Sequence, residues 1–412
     1  MQAAATRETG LAALLFLGHE SEECDYEPGM SMIRRRSLSG LVVLVLVSLV
    51  ACGTAESQVG QAEGGAARVP FVTDGWRTDF SKHAVPLDEI ISGGPPKDGI
   101  PPIDRPRFDS VREADRWLGD REPIVVFERD GEVRGYPWQV LIWHEVVNDE
   151  VGGLPVSITY CPLCNTAIAF DRRVGSMLLD FGTTGKLRHS DLVMYDRQTE
   201  TWWQQATGEA IVGELTGTVL TFLPAPTVNW SDFKREYPDA QVLNRDTGHR
   251  RPYGTSPYDG YDTGSPWLFR GRSDSRLPTM ARVVVVKSGD AAVVYPMETL
   301  AQEGAINHEV GETAVAVFYR AGTASAVDAR RIETGRDVGA AVAYHRTLDG
   351  RTLTFRADGD GFRDRETGTH WTFFGEAIDG PLAGETLEPV VHYVPFWFAW
   401  AAFAPDTPIY GM

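Results

Sequence analysis

The chain has 412 residues and a formal net charge of −18. Acidity of that order leaves no basic face for neutralising phosphates, which argues against a nucleic-acid partner, and the length is enough for two ordinary domains. With 42 glycines, 25 prolines and 10% aromatic residues, the composition predicts many turns joining short strands.

The amino terminus comes first. Arg34-Arg35-Arg36 precede an apolar run, Leu38–Ala51, that is too short to span a membrane, which needs roughly 20 residues. A basic flank and a short apolar core are the marks of a secretory signal. The run ends Leu49-Val50-Ala51-Cys52-Gly53, which resembles the bacterial lipobox, whose cysteine becomes the lipidated first residue of the mature chain. The reading is therefore a lipid-anchored protein on the extracytoplasmic face of the cell membrane, attached through Cys52; the alternative is an uncleaved anchor. Residues 1–29 lie ahead of the signal and are expected to be an over-extended start. Residues 30–52 are the signal, and 53–70, rich in Gly, Ala and Gln, a flexible tether.

The body begins near residue 71 with a Pro-rich segment centred on Gly93–Pro102. Phe108–Leu118 is predicted as a short helix capped by Asp109 or Ser110. From Pro123 two apolar runs flank Asp130-Gly131, a strong hairpin signal. Trp138–Val147 is predicted as a short amphipathic helix. Strands are predicted at Pro155–Tyr160, Ala167–Phe170, Met177–Phe181 and Thr201–Gln204. No Gly-x-Gly-x-x-Gly follows a strand and there is no P-loop, so no nucleotide cofactor is expected.

The pattern then repeats. Tyr136-Pro137 matches Tyr295-Pro296, Asn148 matches Asn307, and Tyr160 matches Tyr319. Asp196-Arg197-Gln198-Thr199 matches Asp364-Arg365-Glu366-Thr367, and Trp203 matches Trp371. The predicted fold is mainly β (α+β): two similar β-rich units from an internal duplication, at 71–244 and 281–412, joined by a Gly/Pro-rich connector at 245–280. The copies differ where chemistry would sit. Cys161 aligns with Arg320, Cys164 with Thr323 and His144 with Glu303, and the stretch holding His189 and Ser190 is about six residues shorter in the second copy.

With Cys24 ahead of the signal and Cys52 lipidated, Cys161 and Cys164 are the remaining thiols, spaced to chelate one soft metal or to close a disulfide. Three readings stay open. In the first, Cys161 and Cys164 bind copper or zinc, with His144, His189 or Met194 completing the shell. In the second, they form a redox dithiol, which asks for a helix after Cys164 and a low thiol pKa. In the third, they form a structural disulfide in a non-catalytic binding or assembly lipoprotein. If Trp138–Val147 is helical, His144 and Asn148 lie one turn apart on one face. Asp196-Arg197, present in both copies, reads as a structural turn or ion pair, and Trp202-Trp203 as core.

The motifs GGPPKDGIPP, WHEVVND, TYCPLCNTAIAFDR, FGTTGKL, SDLVMYDRQTETWWQQ and GEAIVGELTG resemble those of the bacterial and archaeal Domain of Unknown Function 3179 family, over about residues 90–410. The resemblance implies a lipoprotein-like start and carries no activity. It places His144, Glu145, Asn148, Asp149, Cys161, Cys164, Ser190, Met194, Asp196, Trp203 and Gln205 inside the family's motifs.

Overall fold

Pro123–Arg129 and Glu132–Pro137 pair antiparallel, with Arg129 opposite Glu132. Asp130 and Gly131 between them take φ of 50° and 81°, the I′ turn whose twist matches that of the flanking strands. Hairpins of this kind build most of the molecule. The computed structural model describes residues 70–412, which fall within one compact unit. The expected over-extended start, the signal, Cys52 and all but the last residue of the tether lie outside the described residues.

The fold is mainly β with few short helices, the longest of seven residues. Among the described residues no helix is long and apolar enough to cross a membrane. Two predicted helices are shorter than their sequences suggest. Phe108–Ser110 is a strand because it pairs with Gln241–Leu243, and the helix is Val111–Ala114. Ser110 caps it in a reciprocal box with Glu113, satisfying two otherwise free amides. The second helix is Trp138–His144, not Trp138–Val147. Val146 and Val147 instead open the strand Val146–Val151, paired to Thr159 and Ile158, as β-branched residues favour. Asn148 is therefore not one helical turn beyond His144; it lies within a sheet.

The order of elements recurs along the chain. Strands Pro123–Arg129 and Glu132–Pro137, helix Trp138–His144, and strands Val146–Val151, Leu154–Cys161 and Thr166–Asp171 follow one another in the first half. Val283–Ser288, Ala291–Pro296, helix Met297–Glu303, Ala305–Val310, Thr313–Arg320 and Ala340–His345 do so in the second. Side-chain bonds recur too. Asn148 exchanges hydrogen bonds with the backbone of Phe181, and Asn307 with that of Phe355. Asp196 accepts from Thr199 and the Trp203 indole, and Asp364 from Thr367 and the Trp371 indole.

Each half keeps one cluster to itself, around Val193 and Trp202 in the first and around Leu300 and Val317 in the second, but the two largest cores are shared. Val283, Val285 and Trp397 pack in one cluster with Tyr136, Val156 and Cys161. Ala316 and Phe318 pack in another with Ile124, Val228 and Trp230. The stretch 245–280 is mostly irregular, yet Tyr261 and Asp262 within it are buried, and Asp262 pairs with Arg282 at 2.7 Å.

Candidate functional site

Cys161 closes one strand and pairs with Thr166, which opens the next. Pro162-Leu163-Cys164-Asn165 is thus a four-residue hairpin loop. Asn165 takes φ of 56°, a left-handed conformation in which Asn is several-fold enriched over most other residues. The loop is held from several directions. Phe396 N–H donates to the Cys164 carbonyl at 2.9 Å, the Asn165 side chain donates to the Val394 carbonyl at 2.7 Å, and the Tyr261 hydroxyl donates to the Leu163 carbonyl at 2.9 Å. Both thiols are free and buried, with Cys161 2% and Cys164 0% exposed. No helix follows Cys164; the next element is the strand Thr166–Asp171.

A second hairpin brings the third group. Phe181–Arg188 and Asp191–Asp196 pair with Arg188 opposite Asp191, and His189 and Ser190 at the tip both have positive φ, 52° and 69°. Asp191 lies against the cysteines: one ligand atom each from Cys161, Cys164 and Asp191 lie within 4.8 Å of one another, and all three residues are buried. The Cys161 thiol donates to the Ser190 carbonyl at 3.6 Å. Asp191 Oδ1 accepts from the Gln204 side chain and from Ala206 N–H at 2.9 Å, while Oδ2 is buried with no hydrogen bond of ordinary geometry; the Cys164 thiol lies close enough to the carboxylate to favour its charged form. Such an orphaned oxygen asks for an explanation.

The second half shows why Asp191 is available here only. Its matching hairpin pairs Phe355 with Asp364 as the first pairs Phe181 with Asp196, but runs for ten residues instead of sixteen. The longer hairpin carries Asp191 to the cysteines. The tight cysteine loop is likewise replaced in the second half by an excursion between Arg320 and Ala340.

The surroundings are acidic and dry. Burial pushes the Cys161 thiol up, and pushes Cys164 up further, with Cys161 and Asp191 adding to the effect. Burial raises Asp191 to about 6, against the pull of its bonds to Ala206, Gln204 and the Cys164 thiol. Glu145 is raised to about 8 by burial and then by the charge of Asp191. A desolvated acid stays protonated unless a cation or donors compensate. Near neutral pH the thiols and Glu145 are therefore protonated, while Asp191 is largely ionised.

The sequence-predicted ligands divide. Cys161 and Cys164 meet, and the group they form, among the described residues, includes neither His144 nor His189. His144 Nδ1 bonds the Pro101 carbonyl at 2.7 Å and Nε2 the Tyr253 hydroxyl at 2.8 Å, which uses both ring nitrogens; burial lowers its pKa to about 4. His189 faces Glu89, with Nε2 3.4 Å from the carboxylate. Met194 stands three residues beyond Asp191 on the same strand, an odd spacing that turns it to the other face, and it packs in the apolar core.

Of the other candidates, Asn148 and Asp196 hold the backbone bonds already described. Asp149 accepts from the Tyr136 hydroxyl at 2.6 Å and pairs with Arg134. Ser190 Oγ donates to the Trp267 carbonyl at 2.6 Å, and its own carbonyl takes the Cys161 thiol. Gln205 donates to Thr159 and Thr166. Glu145 lies at the helix end, where Tyr160 N–H donates to its carbonyl at 2.8 Å.

Asp191 and Gln204 are the members of the candidate site that sequence reasoning missed. The available signal was the extra length of the first hairpin, which had drawn attention only to His189 and Ser190.

No curated protein and no solved structure matches the chain. A family model described as "Protein of unknown function (DUF3179)" matches residues 97–407, a span holding both cysteines, Asp191 and the second half that closes over them. On that match the chain belongs to the DUF3179 family.

Proposed function

We propose that the protein binds a soft metal ion, zinc or copper, through Cys161, Cys164 and Asp191. One observation carries the reading: three buried donors converge within 4.8 Å, and the aspartate oxygen Oδ2 has no partner outside the cluster. Around a tetrahedral ion with bonds of about 2.0–2.3 Å the donors would draw somewhat closer. Thiolates favour zinc and copper over the hard cations. Asp191 takes the place that His144, His189 or Met194 was expected to fill.

A thiol–disulfide oxidoreductase asks for a depressed thiol pKa and an accessible sulfur; both thiols here are buried and pushed up. The lipid anchor at Cys52 and an extracytoplasmic location belong to the same proposal. They rest on the basic flank, the apolar run and the small residues before Cys52. The recurring order of elements supports two related halves, with the working site kept in the first.

The test is elemental analysis and a thiol count on protein purified without chelator or affinity metal. Near-stoichiometric zinc or copper that disappears in Cys161→Ser and Cys164→Ser is the expected result. Metal-free protein that takes up neither ion on reconstitution under reducing conditions overturns it. Fatty-acid labelling that persists in Cys52→Ser would remove the anchor from the proposal.

A further inference from the structure

Helix Trp138–His144 ends on Glu145, which adopts φ of 59° and donates its N–H to the Leu141 carbonyl. Helix Met297–Glu303 ends in the same way on Gly304, with φ of 72° and a bond to the Leu300 carbonyl. The next bond also recurs: Tyr160 N–H donates to the Glu145 carbonyl at 2.8 Å, and Tyr319 N–H to that of Gly304 at 2.9 Å. One turn is thus built twice. The second half uses glycine, which adopts left-handed backbone freely, whereas the first bears the strain of a side chain there.

That side chain has no structural bond to justify the strain. Glu145 is 8% exposed, and its carboxyl accepts no hydrogen bond among the described residues; burial and the charge of Asp191 account for its state. Its backbone is bonded to Tyr160, the neighbour of Cys161. Strain retained at a buried, unpartnered acid beside a ligand cluster marks function more than packing.

We infer that Glu145 supplies the fourth donor of the Cys161/Cys164/Asp191 site, a step that rests on the metal reading above. Its carboxyl stands outside the group of three whose donor atoms lie within 4.8 Å of one another, so it swings inward when the ion binds. Two thiolates and two carboxylates fill a tetrahedral shell with the net charge of an all-thiolate zinc site.

Cobalt(II) and zinc(II) titrations of the purified reduced protein test the inference, comparing wild type, Glu145→Gln, Glu145→Gly and Cys161→Ser. Both Glu145 variants are expected to bind at least tenfold more weakly, with the visible cobalt bands altered because one ligand has changed. Glu145→Gly is expected to melt no lower than wild type without metal, since the strain is relieved. Glu145→Gln keeps side-chain size and backbone, and carries the test should Glu145→Gly fail to fold. Wild-type affinity and an unchanged cobalt spectrum in Glu145→Gln, with binding abolished in Cys161→Ser, overturn the inference while the metal reading stands. Wild-type protein that binds neither ion overturns both.

Discussion

Asp191 divides its two oxygens between scaffold and site. Oδ1 is fixed by Gln204 and Ala206, and Oδ2 is left free beside the thiols. Asp191→Asn preserves the shape and removes the charge. Zinc affinity should fall at least about tenfold, since even outer-shell changes cost 10–100-fold, as read by competition against a chromophoric chelator. The pH dependence has a definite sign. Burial holds both thiols above their ordinary values, so they are protonated near neutrality and binding expels at least two protons, and a third where Glu145, raised to about 8, also ligates. Apparent affinity should rise at least about a hundredfold per pH unit from neutral toward the thiol pKa. It should fall more steeply still below about 6, where Asp191 also takes up a proton. A pH-independent affinity between 6 and 8 would contradict thiolate ligation. At this scale the cysteine pair was legible because its spacing is local. Asp191 was not, because only the second hairpin's length brings it near. His144 misled because imidazole is so common a ligand; here its nitrogens are spent on Pro101 and Tyr253.

The hairpin Phe181–Asp196 is the element that turns a recurring scaffold into a site. Its tip places His189 and Ser190 in left-handed backbone, a tight turn that glycine or asparagine ordinarily occupies. His189 was predicted as a ligand, and the structure turns it toward Glu89. His189→Gly should therefore leave metal affinity within about twofold, while changing stability by no more than about 1 kcal/mol as relieved strain offsets a weak contact. Calorimetry with and without zinc checks both halves of that statement. Most strands were legible from alternation and turn residues, and the Asp130-Gly131 hairpin formed as predicted. The helix ends were not. Ser110 caps a helix of one turn because Phe108–Ser110 is claimed by Gln241–Leu243, and Val146-Val147 left the helix for a sheet. In both places a partner distant in sequence overrode local propensity.

Across the whole molecule, the recurrence visible in the sequence conceals how closely the halves are interleaved. Trp397 and Val285 share a core with Tyr136 and Val156, and the Phe396 amide caps the Cys164 carbonyl. Such contacts leave no periodic mark in a sequence, so the connector at 245–280 read as a joint although Tyr261 and Asp262 within it are buried. Residues 70–412 should unfold in one calorimetric transition, with van't Hoff and calorimetric enthalpies in agreement. Two resolved transitions would mean the halves are energetically independent. Removing residues 392–412 should abolish that transition, because it strips Trp397 and Trp400 from the shared core at about 3–5 kcal/mol for each large aromatic lost.

The burial of the cysteine loop also sets a clock. The sulfurs have almost no solvent exposure, and the loop that carries them is tied to Val394 and Phe396 near the far end of the chain. On the metal reading proposed above, an ion seated there would have no direct exit and would leave only when that carboxy-terminal clasp lifts. Removal by an external chelator should then plateau at a fixed rate however much chelator is added, because local opening is the slow step. Stopped-flow traces that keep accelerating with chelator concentration would mean the ion is reached directly. A plateau would describe a vault that gives up its cargo only at the pace of its own opening.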